Sequence, residues 1–179
     1  MATNTWLLQI VNKIFYITPL TRWYRLRAKL LRLAGVECAL TARIVASAQI
    51  VIPSVVIGEN TFIGHQVLIS GDAHCRIRIG CDVDIAPRVL LLSGTHVIDM
   101  LGSRSAGTPI GADVSIQNGV WLGAGCIILP GVTIGEKAVI GAGSVVTHDI
   151  PPYCIAVGNP CRPIKKWNIS SLSFDREHL

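Results

Sequence analysis

Charge is scarce in this chain: Asp, Glu, Lys and Arg make up only 15% of the 179 residues, and aromatics only 6%. The formal net charge is +5, yet the basic residues gather towards the two ends. A nucleic-acid surface needs a continuous basic stripe interleaved with stacking aromatics, so that partner is excluded and local anion contacts remain. Paired cysteines are missing too. Cys38, Cys75, Cys81, Cys126, Cys154 and Cys161 form no C-x-x-C pair and no zinc-finger spacing. With no secretory pattern ahead of them they are read as free thiols in a reducing cytoplasm. Long apolar runs are absent as well: the stretch from Trp6 to Ile17 is broken by Asn12 and Lys13 and is too short to span a bilayer.

What the chain has instead is a period of six. From Ile110 it reads IGADVS, IQNGVW, LGAGCI, ILPGVT, IGEKAV, IGAGSV and VTHDI. From Val45 it reads VASAQI, VIPSVV, IGENTF, IGHQVL and ISGDAH, and from Ile79 IGCDVD, IAPRVL and LLSGTH. Six fits neither a helix face nor the alternation of one amphipathic strand, so the hexad is a supersecondary unit. Short β-branched segments separated by Gly, Asn and Pro predict a parallel β-solenoid, three hexads to a triangular coil. Five coils stacked at the strand spacing would stand about 24 Å tall. The aliphatic first residue is expected inside, and glycine in second position is expected to permit tight or positive-φ corners.

The beat falls silent after His96, and residues 97–109 read as a loop. Residues eighteen apart share a side of a three-sided coil, so the hexads from Leu122 and Ile140, both aliphatic-Gly-Ala-Gly, form a strip almost without side chains. Counting back through Ile116 and Ile110 places the hexad of Leu91 to His96 on that same side. A bare strip lets a long thin ligand lie against the backbone, and an imidazole beside it can exchange a proton near neutrality.

The repeat resembles the hexapeptide-repeat family, whose members form left-handed β-helices; handedness here comes from the resemblance alone. It covers roughly residues 45–165 and is most specific in "PIGADVSIQNGVWLGAGCIILPGVTIGEKAVIGAGSVVTHDIPPYCIAVGNPCRPIK". The chain is similar to the CoA-dependent acetyltransferases of the galactoside, maltose and polysaccharide type. That resemblance implies acetyl-CoA as co-substrate, His96 as general base towards an acceptor hydroxyl, and a homotrimer with CoA between subunits. It matches Ala124 and Ala142 to positions along the CoA arm. Thr147 with His148 takes the place of a threonine–lysine pair near the nucleotide, and Arg162 and Lys165 match basic residues near the phosphates. Two positions depart from the pattern: the usual lysine is His148, and Val97 rather than proline follows the histidine. Asp72 matches an acceptor-contacting aspartate.

Asp72 and His74 lie in a second break, "ISGDAHCRIR", which the counting places at the corner of His96; either could orient the imidazole or bind a sugar hydroxyl, and a turn aspartate is the plain alternative. Trp121 could stack on a sugar or fill a subunit interface. The expected organisation is an N-terminal helical cap over 1–35, a mainly β left-handed parallel β-helix over 36–150 and a short C-terminal extension over 151–179. Within the cap, helix is expected over 5–34 with Pro19 dividing it, Trp23, Leu26, Leu30 and Leu33 forming an apolar stripe opposite Arg22, Arg25, Lys29 and Arg32. This piece would cap the coil's open edge. The alternative to capping is that it lies on an anionic membrane surface, which would make a cytoplasmic protein peripheral at the inner membrane. The expected function is O-acetyl transfer to a sugar or glycan of the capsule or lipopolysaccharide type. Transfer to an amino sugar or an antibiotic, and a non-catalytic scaffold, are the alternatives. A zinc enzyme of the γ-carbonic anhydrase kind would need three grouped histidines, and His65, His74, His96 and His148 are not grouped, so no metal is expected.

Overall fold

In a computed structural model, which describes residues 5–168 and 173–175, the chain is mainly β behind two helices, α1 (Thr5–Tyr16) and α2 (Tyr24–Leu33). Its strands assemble into three sheets with parallel pairing. The first holds Glu37–Cys38, Val55–Ile57, Ile77–Ile79, Val114–Ile116 and Thr133–Ile134. The second holds Arg43–Ile44, Phe62–Ile63, Asp84–Ile85, Trp121–Leu122 and Val139–Ile140, and the third Gln49–Ile50, Leu68–Ser70, Leu90–Leu92, Ile127–Ile128 and Val145–Val146. The chain visits first, second and third sheet in turn, five times over, which makes a three-sided coil. The second sheet continues with Cys154–Gly158, parallel to Val139–Ile140, and then turns back antiparallel through Cys161–Asn168 and Ser173–Asp175.

Each hexad does two jobs. Its leaders, such as Ile63, Ile85, Leu122 and Ile140, are completely buried, and its fifth residues, such as Val67, Val89 and Cys126, fill the space beside them. Of the two roles expected of second-position glycine, a tight corner or positive φ, the structure gives it the first. Positive φ falls on the fourth residue, whether Gly (Gly119, Gly125, Gly143) or not (Asn60, Gln66, Asp82, Arg88, Lys137). The second-position glycine serves close approach: a Cβ on Gly123 would sit 2.6 Å from the Ala142 amide nitrogen one coil further on.

Helices α1 and α2 lie across the first coil, α2 against Glu37–Cys38 and Arg43–Ile44, α1 against Gln49–Ile50. These are the edge strands of all three sheets. Leu8, Val11 and Phe15 of α1 and Ala28 and Leu31 of α2 join the core of the coil. The exposed backbone edge is met by side chains. The Asn12 amide donates to the Ile50 carbonyl (2.8 Å) and accepts from its N–H (3.3 Å). Buried Arg27 donates to the carbonyls of Ile44 (2.6 Å), Arg22 (2.6 Å) and Pro19. Burial lowers the Arg27 pKa from its ordinary value, with Tyr24 acting in the opposite sense; its carbonyl partners satisfy the charge that burial penalises. The buried face of α2 is therefore Arg27, Ala28 and Leu31; of the expected apolar stripe Leu30 packs against the core, while Trp23, Leu26 and Leu33 are turned outward and exposed. Reading the face from hydrophobicity failed because an arginine was needed to close a strand edge. Trp23 at φ 59 and Gly35 at φ 92 bound the helix. Among the described residues no helix is long and apolar enough to cross a membrane.

Candidate functional site

Two corners flank the third sheet, and the residues singled out by sequence divide between them. The corner between second and third sheets carries the strip. In the fourth and fifth coils it is Gly123-Ala124-Gly125 and Gly141-Ala142-Gly143. At Gly125 and Gly143, with φ near +71 and +72, a Cβ would meet nothing within 4 Å. Ala124 and Ala142 are exposed. The Gly143 N–H donates to the Ala124 carbonyl (2.8 Å) and the Gly125 N–H to the Pro87 carbonyl (2.9 Å). Among the described residues no protein group accepts from the N–H of Ala124 or Ala142. Among the described residues the strip thus offers two amide donors without a protein acceptor, on a surface with no side chain larger than methyl. In the coil before it the same corner is Ala86-Pro87-Arg88, and Arg88, whose Nε donates to the Gln66 side-chain Oε1 at 3.1 Å, is the first bulky charged group there. Sequence reading passed over Arg88 because its hexad lacks the glycines.

The corner between third and first sheets carries the histidine. The chain leaves the coil after Leu92 and returns at Val114, and what lies between is a hairpin, Gly94–Ile98 against Ala106–Gly111, with His96 opposite Pro109. The excursion is therefore longer than the expected loop 97–109. Ile110, counted as a hexad leader, is 45% exposed in the returning strand, opposite Thr95. Removing it from the count shifts the frame by one side: Leu91 stacks on Ile69 and Ile128, whereas Leu122 stacks on Ile85 and Ile140. His96 and the strip are consequently not on the same side of one chain. A side is one hexad, so up to roughly 20 Å of extended backbone lies between the corners.

The second sequence break joins the third sheet to the first in the coil before the hairpin, at the histidine corner. The Asp72 carboxylate accepts from the His74 N–H at 2.8 Å, and the Asp72 carbonyl accepts from Ser93 Oγ at 3.5 Å. Gly111 closes the hairpin so tightly over this turn that a Cβ on it would stand 2.7 Å from that of Asp72. Asp113, unremarked in the sequence, ties the same corner together: it accepts from the Arg76 N–H (2.7 Å) and from Arg78 (3.2 Å). The Arg76 amide first and the Arg78 charge after it hold its carboxyl below the ordinary range. His96 and His74 are both exposed.

Thr147 and His148, whose Oγ1 and Nδ1 stand 2.8 Å apart, are at the histidine corner in the fifth coil, just after Val145–Val146. Trp121 projects from the second sheet, more than half exposed. Arg162 and Lys165 sit on the antiparallel strand that extends that sheet, opposite Val157 and Ile155, and both are exposed. Between the two corners the third sheet turns Leu68, Leu90, Ile127 and Val145 outward, each half-buried.

Residues 113–148 match the family model for the bacterial transferase hexapeptide (six repeats). The chain is 39% identical to a maltose O-acetyltransferase from Clostridium difficile 630, over 89% of this chain and 83% of that one, with a TM-score of 0.74. The chain belongs to the hexapeptide-repeat acetyltransferase family. It is also 30% identical to a galactoside acetyltransferase solved in complex with coenzyme A, over 92% of this chain and 80% of that one, at a TM-score of 0.69. The galactoside O-acetyltransferase of Escherichia coli K12 shares 42% identity over 112 residues, 63% of this chain and 54% of that protein. The chain spans about half the length of the curated relatives it matches. Among hexapeptide-repeat acetyltransferases, then, this chain carries its bare strip and its hairpin histidine on different corners. Among the described residues no group of His, Cys, Asp and Glu could hold a metal ion.

Proposed function

We propose that this chain is an acetyl-CoA-dependent O-acetyltransferase acting on a sugar or glycan hydroxyl of the capsule or lipopolysaccharide type, in a left-handed coil that works as a homotrimer. The observation that carries the donor half is the strip: two unpartnered amides at Ala124 and Ala142 on a surface free of side chains suit the amide-bearing arm of CoA. The galactoside acetyltransferase whose structure resembles this one was solved with coenzyme A. Arg162 and Lys165 would meet its phosphates, and Thr147 with His148 its nucleotide.

In the reaction His96 takes the proton of the acceptor hydroxyl while the oxygen attacks the thioester carbonyl. The tetrahedral oxyanion is held by a backbone N–H, and its collapse releases CoA thiolate, which is reprotonated. Asp72 and His74, in the turn beneath the hairpin, orient the imidazole or bind the acceptor. Since strip and histidine occupy different corners of one chain, the site is completed by bringing the strip of one copy to the hairpin of another. The outward aliphatic ladder of the third sheet, lying between those corners, supports such an assembly because it is an apolar face that burial would favour. Trp121 fills an interface or stacks on the sugar.

The test is CoA release from acetyl-CoA across a panel of sugars, amino sugars, serine and chloramphenicol, for wild type and His96→Ala. Acceptor-dependent release that falls by roughly 100- to 10,000-fold in the mutant, at an unchanged melting temperature, is the expected result. Wild type that binds no CoA and releases none with any acceptor would sink the reading.

A further inference from the structure

The transfer reading leaves the outer face of the helical cap unused. Both helices bury one face in the first coil, so their other faces look away from it. On α1 that face carries Trp6, Ile10 and Lys13 at helical intervals, and Ile17, just past the helix end, is 83% exposed. On α2 and the turn before it lie Trp23, Leu26 and Leu33, the last 75% exposed, with Arg22, Arg25, Lys29 and Arg32 exposed among them. No acidic residue precedes Glu37, whereas six of the sixteen Lys and Arg do. The remainder of the chain, ten basic against eleven acidic residues, is close to neutral. The net positive charge of the protein is therefore a property of this cap.

Two open grooves border it and share Arg32. One, of about 560 Å³, is lined by Arg32, Val36, Cys38 and Val56 among others; the second, of about 380 Å³, by Lys29, Arg32, Leu33 and Leu40. The second combines an apolar floor with a cationic rim, while the first sets Arg32 against Glu37. On the helices themselves, exposed Trp and long aliphatic side chains mixed with Arg and Lys, with no carboxylate on either helix, match the boundary of a bilayer, where indoles sit at headgroup depth and basic residues meet anionic lipid.

We propose that the outer face of α1 and α2 docks the protein on an anionic lipid bilayer. The fold makes this face available because the coil needs a cap, and Arg27, Ala28 and Leu31 with half-buried Leu30 form its inner side, leaving Trp23, Leu26 and Leu33 outward. Docking goes beyond the transfer reading and does not depend on it: it concerns the end of the coil away from the hairpin, and its failure would leave acetyl transfer intact.

The experiment is flotation of the full chain with vesicles of phosphatidylcholine alone and of phosphatidylcholine with phosphatidylglycerol. Binding to the anionic vesicles is expected to exceed binding to the neutral ones by roughly tenfold or more, and to fall at high salt. Arg25→Glu with Lys29→Glu, and separately Ile17→Asp with Leu33→Asp, should each weaken it by about tenfold or more, while CoA release with a soluble acceptor is unchanged. All four side chains are exposed, so circular dichroism should show wild-type melting. Absence of binding to anionic vesicles, or charge-reversed protein that binds like wild type, overturns the proposal. So does sedimentation showing that the Ile17 and Leu33 substitutions separate two copies, since the face would then belong to a second chain.

Discussion

The two corners beside the third sheet are made from the same hexad and have become opposites. At one, second-position glycines let coils stack at backbone contact and Ala124 and Ala142 keep the outside bare; at the other, the chain departs for a whole hairpin that carries His96, with Asp72 and Asp113 in the turns at its base. Neither corner affects the core. Ile69, Leu91 and Ile128, which lead into the histidine corner, are as completely buried as Ile85, Leu122 and Ile140, which lead into the strip. A solenoid whose stability comes from neighbouring coils tolerates what happens outside its corners, so binding surfaces and chemical groups can be placed there independently.

The contrast is broken most strongly by filling the strip. Ala142→Trp should raise the KM for acetyl-CoA by about tenfold or more without changing the melting temperature, since Ala142 is exposed and only ligand space is lost. The same variant sharpens the comparison when mixed with His96→Ala. Assayed at an acetyl-CoA concentration too low to serve Ala142→Trp, the two chains refolded together should release CoA faster than the sum of the separate variants, because a copy with an intact strip meets a copy with an intact histidine; mixtures no faster than that sum would mean that each chain builds its own site.

A smaller effect separates the two kinds of corner glycine. Gly123→Ala places a Cβ 2.6 Å from the Ala142 nitrogen and 2.7 Å from the Ile140 carbonyl oxygen, and should cost about 1–3 kcal/mol by forcing coils apart. Gly125→Ala meets nothing in space and should cost about 1–2 kcal/mol for its left-handed backbone alone. Only the first should also disturb the next coil, which amide exchange at Gly143 would report.

The mildest test concerns Cys38, under the cap. Burial pushes its thiol up to about 11 against an ordinary value of 9.0, with the Arg32 charge pulling the other way. The folded chain thus keeps a proton that the unfolded chain loses. Stability is complete below about pH 9 and falls as pH rises towards 11, by at most about 3 kcal/mol. In Cys38→Ala the decline of the melting temperature over that window should flatten.

Much of this could be read before the structure. Leaders such as Ile63, Leu122 and Ile140 pointed to their buried positions through period alone, because six residues per side leave one place for each. The bare strip was legible for the same reason, since Gly-Ala-Gly recurs eighteen residues apart. The failures had physical causes. Ile110 looks like a leader but belongs to a hairpin strand whose partner is Thr95, and pairing within an excursion does not show in a hydrophobic pattern. Arg27 looks like a surface residue and is completely buried, because the carbonyl of Ile44 and those of the preceding turn require a donor. Arg88 and Asp113 escaped notice because their value lies in neighbours from other coils.

By itself the sequence determined the three-sided coil, its interior and the kinds of groups available at its corners, since these follow from a local repeat that each hexad obeys on its own. Tertiary structure decided which corner each group occupies and which face of α2 turns outward. Those outcomes depend on how many residues an excursion withdraws from the winding, and on which polar side chain can satisfy the open carbonyl of an edge strand together with those of the turn before it.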